Sequence, residues 1–511
     1  MRGLPGVQAL DPLAVAPAAA PLVAALLVLL LDAVAPPRRG RDERGSLRAV
    51  YDVVALAGLL AAGAAVVALA ADGTDRATAC VPGSGLQLSA CSFVVSPLTL
   101  ALQAVTIGAA VVCLLLTLDG PGARARVPHH VLLLSAVAGA VALAGARDLA
   151  TLVVAFETAT LPAVGLVALR RDPQGAQAAV TFLLTALTSL GLLLLGSALL
   201  LMATGSAHLE RIATALGEPG LPPRVKAVAV LGVLLAVAGI AFKLSAVPFH
   251  LWTPDTYAGA PLPIAAFLAT VSKAAGAAAV VVLLTVGVMP LAGSWAPLVG
   301  ALAAITVTVG NLVALRQRVA VRLLAWSTVA QAGWVILPLA GAGAGGPGQA
   351  QSSAAAAVGY LAAYVAATLA VFAVVVVLAR HHPAGEEHTI EAYRGLARRE
   401  PVAAAVLAFG LACLAGLPPG IVGLVAKVLA VRPVVDAGVW PVALIAAANV
   451  ALGLVYYLRW AALLVTSTRS GVPTWRVRPA EGLALGAAAA ACLALSVWPQ
   501  FVAGLVPGLP R

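Results

Sequence analysis

The chain has 511 residues, 62% of them hydrophobic and 10% charged, and a mean hydropathy of +1.02. A soluble globular domain carries about 45–50% apolar and about 25% charged residues, so a soluble enzyme, a disordered chain and a secreted disulfide scaffold are excluded. Five cysteines exclude a cysteine-ligated iron–sulfur array. In a chain this apolar, the net charge of +11 poses a question of membrane sidedness rather than of nucleic acid, and no nucleic-acid partner is expected.

A helix needs about 20 apolar residues to cross the hydrocarbon core. Runs that qualify lie at 12–35, 49–71, 93–118, 128–146, 149–169, 177–204, 226–249, 262–290, 295–315, 320–341, 354–379, 401–431, 437–465 and 480–506. The sequence therefore predicts an all-α integral membrane protein of about fourteen transmembrane helices, with 1–511 as a single membrane domain. The first run is followed by a basic stop rather than a small-residue cleavage site, and reads as a retained span. Alternate loops (38–48, 123–126, 170–171, 316–322, 380–400 and 468–478) hold 19 arginines. The opposite loops and both termini hold Arg2, Arg76, Arg147, Arg211, Arg224, Lys226, Arg432 and Arg511. By the positive-inside rule both termini are expected outside the cell membrane. Cys80 and Cys91 share the outer loop 72–91, where the compartment permits a disulfide.

A charge at the bilayer centre costs about 2.5–3.5 kcal/mol on insertion scales, so each buried charge needs a reason. Glu157 sits near the middle of the fifth run. Of 31 basic residues only four are lysine, and three of these, Lys243, Lys273 and Lys427, fall inside apolar runs. Arginine cannot be deprotonated in a protein, whereas a buried lysine can give up its proton. The three lysines therefore read as proton carriers and Glu157 as a titrating group or the partner of one, against the plainer reading of a structural ion pair. Arg459 lies near the end of its run and reads as a snorkelling side chain. Two runs are internally broken. Pro248 follows Lys243 by five residues, and Gly416, Pro418, Pro419 and Gly420 precede Lys427. Breaks of this kind persist in a membrane where backbone lines a polar cavity.

Other features carry less. GAGAGGPG (341–348) lacks the GK[ST] of a phosphate loop. His381, His382 and His388 with Glu386, Glu387 and Glu391 read as a solvated loop before a metal site. Cys113, Cys413 and Cys492 read as small core residues.

The segment VPFHLWTPDTYAGAPLPIAAFLATVSKAAG (247–276) is specific. With FKLS (242–245), AFETATLP (155–162), RLLAWSTVAQAGW (322–334), GLARREP (395–401) and AGLPPGIVGLVAKV (415–428), it resembles the antiporter-like subunits of the proton-pumping NADH:quinone oxidoreductase, respiratory complex I. Within that family it is most similar to the subunit N branch. The sister subunits M and L share the outline, but lack the TPD-x-Y-x-GAP pattern seen here after the PFH-x-W element. The resemblance covers about 93–466. It implies two inverted five-helix repeats, over 128–290 and 295–466, each with one discontinuous helix. It carries Glu157, Lys243, Lys273 and Lys427 over as a proton relay in which Glu157 pairs with Lys243. His250, Ser245, Thr270, Ser272, Ser327, Gln331 and Tyr360 are expected to help by holding water. Where this chain has Gln331, the family often has histidine, so Gln331 can hydrogen-bond but not titrate. No cofactor is expected on this chain. NADH, FMN, iron–sulfur clusters and quinone belong to partner subunits, and the expected partners are the other membrane-arm subunits, the sister antiporter-like subunits among them, and membrane lipid. The rival readings are a subunit of a Mrp-type sodium/proton antiporter or of a membrane-bound hydrogenase, and, from other classes, a stand-alone secondary transporter or a purely structural scaffold subunit.

Overall fold

The computed structural model describes residues 10–34, 41–81, 90–118, 126–344, 347–380, 388–466 and 477–500. In chain order the helices are α1 (Pro12–Val34), α2 (Arg41–Asp72), α3 (Pro97–Leu118), α4 (Arg126–Gly145), α5 (Leu149–Ala168), α6 (Pro173–Thr204), α7 (Leu209–Leu216), α8 (Pro223–Leu244), α9 (Trp252–Gly259) and α10 (Leu262–Ala269). There follow α11 (Val271–Val282), α12 (Ala292–Ala314), α13 (Ala320–Ile336), α14 (Pro347–Ala379), α15 (Leu396–Arg399), α16 (Pro401–Ala415), α17 (Ile421–Asp436), α18 (Trp440–Val465) and α19 (Pro479–Val497). Among the described residues, 13 helical segments are long and apolar enough to cross a membrane. The expected run 401–431 is instead two short helices, α16 and α17, separated by 416–420.

The helices start and stop where side-chain chemistry directs. Asp148 caps α5, its carboxylate accepting from the Thr151 backbone N–H at 2.8 Å. Asp172 caps α6 through Gly175 N–H at 2.6 Å, with Pro173 at the first helical position. Close packing depends on absent side chains. A Cβ on Gly139 would lie 2.4 Å from the Ala159 backbone nitrogen, which is how closely α4 and α5 approach.

Burial sorts the helices into layers. Every residue is buried in the window of 262–287 that spans α10 and α11, and 94% are buried in those of 320–344 and 348–379. These segments form the centre. In α1, α2, α6 and α18 only 33% of the spanning window is buried, and Leu26, Val67, Met202 and Leu444 stand exposed on them. A helix that is apolar all round needs neighbours all round, whereas one with an exposed apolar face needs lipid or another subunit.

Outside the membrane body, β1 (Arg76–Val81) and β2 (Ala90–Val95) form an antiparallel ribbon. Cys80 and Cys91 stand opposite each other in its register and are disulfide-bonded. Arg76 pairs with Asp11 at 2.9 Å and so ties the ribbon to the start of α1. Cys113, Cys413 and Cys492 are buried free thiols. His381, His382, Glu386 and Glu387 lie outside the described residues, as do residues 345–346 of the glycine-rich stretch. Maleimide labelling of the native protein is expected to leave Cys80 and Cys91 unmodified until reductant is added. Labelling of both without reductant would contradict the bond.

Candidate functional site

Two helices end inside the membrane body, and both end in the same way. At the end of α8, Ser245 N–H bonds Phe242 C=O and Ala246 N–H bonds Ala241 C=O, each at 2.9 Å. Ser245 itself adopts the left-handed conformation, φ 62°. At the end of α16, Gly416 N–H bonds Cys413 C=O at 3.2 Å and Leu417 N–H bonds Ala412 C=O at 3.0 Å, with Gly416 at φ 80°. This pairing closes off the earlier carbonyls of the last turn and leaves the final ones open.

Lysine ammonium groups fill the open positions. Lys273 Nζ donates to Lys243 C=O at 2.9 Å and to Ser245 Oγ at 2.5 Å, and lies 4.7 Å from the centre of the Trp252 ring. Lys427 Nζ donates to Ala415 C=O at 2.6 Å and Leu414 C=O at 3.0 Å, and lies 5.6 Å from the Trp334 ring. The negative end of a helix dipole and hydrogen bonds to a charged donor both favour a cation at these places. Lys273 and Lys243 are 1% exposed and Lys427 is 7% exposed.

Lys243 and Glu157 depart from the expected pairing. Lys243 Nζ donates to Thr160 Oγ1 at 2.8 Å and lies 5.2 Å from the Phe156 ring. Among the described residues no ion pair joins it to Glu157, whose Oε1 is buried without a hydrogen-bond partner. Thr160 lies one turn beyond Glu157 on α5 and takes the ammonium in its place. Arg459 is exposed and reaches Leu315 C=O at 3.1 Å and Gln317 C=O at 2.5 Å, satisfying the end of α12.

The expected helper residues divide. Ser245 sits at the first break, bonded to Lys273 and, at 2.5 Å, to Thr253. Thr270 interrupts the eighth span between α10 and α11 and bonds back to Ala266 C=O at 2.7 Å. His250 lies in the segment between α8 and α9, 5.2 Å from the Trp326 ring, with Nδ1 unpartnered. Ser272 Oγ is buried and unpartnered. Ser327 Oγ lies 2.5 Å from Tyr457 Oη. Gln331 accepts from Tyr360 Oη and donates to Tyr457 Oη at 3.1 Å.

These groups form a polar line across the centre. Tyr364 Oη donates to Ala269 C=O at 2.5 Å and lies 3.3 Å from Thr328 Oγ1. Beyond them come Ser327, Tyr457, Gln331 and Tyr360. A cavity of about 10 Å³ is lined by Gln331, Tyr360, Tyr364 and Leu414 among others, and the Leu414 carbonyl accepts from Lys427. That volume is about what one water needs. Sequence reasoning missed Thr160, Thr253, Thr328, Tyr364 and Tyr457. The tyrosines had a readable signal: the chain has only seven, and Tyr360 and Tyr364 lie one helical turn apart inside an apolar run.

Residues 146–453 match the family model described as NADH:quinone oxidoreductase/Mrp antiporter, TM. The chain is 43% identical over 464 residues to NADH-quinone oxidoreductase subunit N 2 of Streptomyces griseus, covering 90% of this chain and 83% of that one. It is similar to a chain of respiratory complex I from Thermus thermophilus with bound aureothin, with a TM-score of 0.76 at 30% identity, covering 95% of this chain and 98% of that one. A chain of the Mrp complex from Dietzia sp. has the same fold, with a TM-score of 0.77 at 21% identity over 97% of this chain and 96% of that one.

The Thr160 hydroxyl makes a testable difference. Thr160→Val keeps the shape but removes the acceptor from a buried ammonium, and is expected to cost about 1–3 kcal/mol, read as a lower melting temperature. Thr160→Ser should melt close to the unaltered protein. Equal melting of the Val and Ser variants would show that Lys243 does not depend on this bond.

Proposed function

Since the chain belongs to the NADH:quinone oxidoreductase/Mrp antiporter transmembrane family, we propose that Glu157, Lys243, Lys273 and Lys427 form the path along which it moves protons. The chain is a multi-pass membrane protein and an antiporter-like, proton-translocating membrane-arm subunit of an NADH:quinone oxidoreductase, with the other membrane-arm subunits as partners. A Mrp-type assignment shares the fold, but at 21% identity against 43% over nearly the whole chain it is not favoured.

The observation that carries the relay is the seating of three buried lysines on opened helix ends and hydroxyls, with a hydrogen-bonded group of Gln331, Tyr360, Tyr457 and Ser327 in the same core. A lysine held by carbonyls and hydroxyls keeps its seat whether or not it carries the proton. One held only by a carboxylate would not. Glu157 acts as the switch. Brought to about 4 Å at an effective dielectric of about 20, it attracts the Lys243 charge by about 4 kcal/mol. At about 8 Å half of that is gone. The difference of about 2 kcal/mol shifts a shared proton by a factor of about 30, enough to favour Lys273 as its next holder. Lys243 donating to Thr160 while Glu157 Oε1 is unpartnered supports an open arrangement of that switch. Lys427 receives the proton through Tyr364, Gln331 and the small cavity beside Leu414. Quinone chemistry in partner subunits supplies the trigger. NADH, FMN and the iron–sulfur clusters reside there, and this chain holds none.

The reading also assigns the repeats and the sides. Residues 128–290 and 295–466 form two inverted units, each carrying one interrupted helix. The arginine-rich loops face the cytoplasm of a bacterial cell and both termini face outward. A cysteine placed within 38–48 is expected to label only from the cytoplasmic side, and one placed near Arg511 only from outside. Labelling of both from one side would overturn that topology.

Lys243→Arg separates charge from proton release. Arginine keeps the positive charge but holds its proton. The variant is expected to assemble into the complex and to lose most proton pumping, measured as vesicle acidification alongside NADH oxidation. Normal pumping by an assembled Lys243→Arg complex would show that this lysine need not deprotonate.

A further inference from the structure

A second polar cluster lies away from the lysine line, at the arginine-rich end of α2 and α4. Arg126 holds Asp52 through two bonds, Nε at 2.8 Å and Nη2 at 2.6 Å. His130 Nε2 lies 2.7 Å from Oδ1 of the same carboxylate, the oxygen that also accepts from Arg126 Nε. His130 Nδ1 lies 3.2 Å from His129 Nδ1. His129 Nε2 is buried and has no hydrogen-bond partner, and the residue is 9% exposed.

The order of these contacts fixes where protons sit. Ionised Asp52 only accepts, so His130 donates from Nε2. A neutral His130 then presents a lone pair at Nδ1, and His129 must donate to it from Nδ1. That leaves the accepting lone pair of His129 on Nε2. With His130 neutral, the carboxylate at one end of the chain thus sets which nitrogen of the imidazole at the other end can accept a proton.

His129 lines a pocket of about 50 Å³ together with Thr117, Arg126, His130, Leu169 and Ile264. That exceeds the roughly 10–15 Å³ one water requires. The pocket lies at the start of α10, and α10 leads to the interruption at Thr270, three residues before Lys273. Along α3, Thr117 lines the pocket, and Cys113, one turn away, has its Sγ 3.7 Å from Thr270 Oγ1.

We propose that His129 Nε2 takes up protons from the arginine-rich side into this pocket and delivers them along the α3–α10 seam to Lys273. The inference rests on the proton-relay reading above. Uptake forms an N–H bond at Nε2 and breaks an O–H bond of hydronium in the pocket. Delivery breaks that N–H bond and protonates Lys273 through water, and no electrons move. His129 thereby becomes the entry group of the path, and Asp52 and His130 are positioning residues that set its tautomer.

The test measures proton pumping per NADH oxidised in inside-out vesicles, with assembly checked on native gels, for His129→Gln and Lys273→Met side by side. Glutamine preserves size and hydrogen bonding to His130 but cannot take a proton. The expected result is an assembled His129→Gln complex whose pumping loss equals that of Lys273→Met. Pumping at the unaltered level in His129→Gln, with Lys273→Met defective, would overturn the entry role and leave the relay standing. Unaltered pumping in Lys273→Met would overturn the relay and the entry role with it. If His129→Gln does not assemble, His129→Asn, smaller than the imidazole, carries the same expectations.

Discussion

A helix that stops inside a membrane leaves carbonyls that water cannot reach. The central site is built on this constraint. Two helix ends, α8 and α16, are opened by a left-handed residue followed by proline, and each unpaired end is met by a lysine ammonium. The buried charges and the broken backbone would each be costly alone. Together they satisfy one another, since a bond to a charged donor contributes about 1.5–3 kcal/mol and the helix dipole adds up to about 2 kcal/mol. The rest of the centre follows from it. Trp252 and Trp334 supply ring faces to Lys273 and Lys427. At Gly416 a Cβ would lie 3.1–3.2 Å from Lys427 Cδ and Nζ, so the turn residue and the lysine fit only as a pair.

The same arrangement bears on function. Carbonyls, hydroxyls and aromatic faces stabilise an ammonium without fixing its proton as a carboxylate at close range would. In the proposed relay, Glu157, on the edge of this set and with an unpartnered carboxylate oxygen, is the group whose approach or withdrawal changes the balance. Between Lys273 and Lys427 the line consists of tyrosine hydroxyls, serine, threonine and one glutamine. These groups pass hydrogen bonds but hold no net charge, so in the proposed relay the charge rests on the lysines.

Much of this was legible in the sequence. The apolar runs, the three buried lysines, the half-buried Glu157 and the Pro-marked breaks beside Lys243 and Lys427 needed only hydropathy and the cost of a charge in an apolar run. What escaped depended on three-dimensional choice. Nothing in the sequence marks Ser245 as left-handed; in the fold its hydroxyl is held by Lys273 and Thr253. The interruption at Thr270 has no proline to announce it, and separates two apolar helices that read as one run. Lys243 was expected on Glu157, because opposite charges attract over distance. The hydroxyl of Thr160 wins at contact because it is better placed. The ribbon of Arg76–Val81 and Ala90–Val95 lies in a loop whose only mark was a pair of cysteines.

The claim that opened carbonyls seat the relay lysines is tested most directly by closing one helix while keeping its lysine. In Gly416→Ala/Pro418→Ala/Pro419→Ala/Gly420→Ala, every residue at the second break favours helix, so α16 can run on into α17 and its last carbonyls bond internally. Proton pumping per NADH is the measurement, made on assembled complex whose segment 412–421 has been shown to be helical. The account predicts that pumping is lost although Lys427 is present. Full pumping through a continuous helix would contradict it.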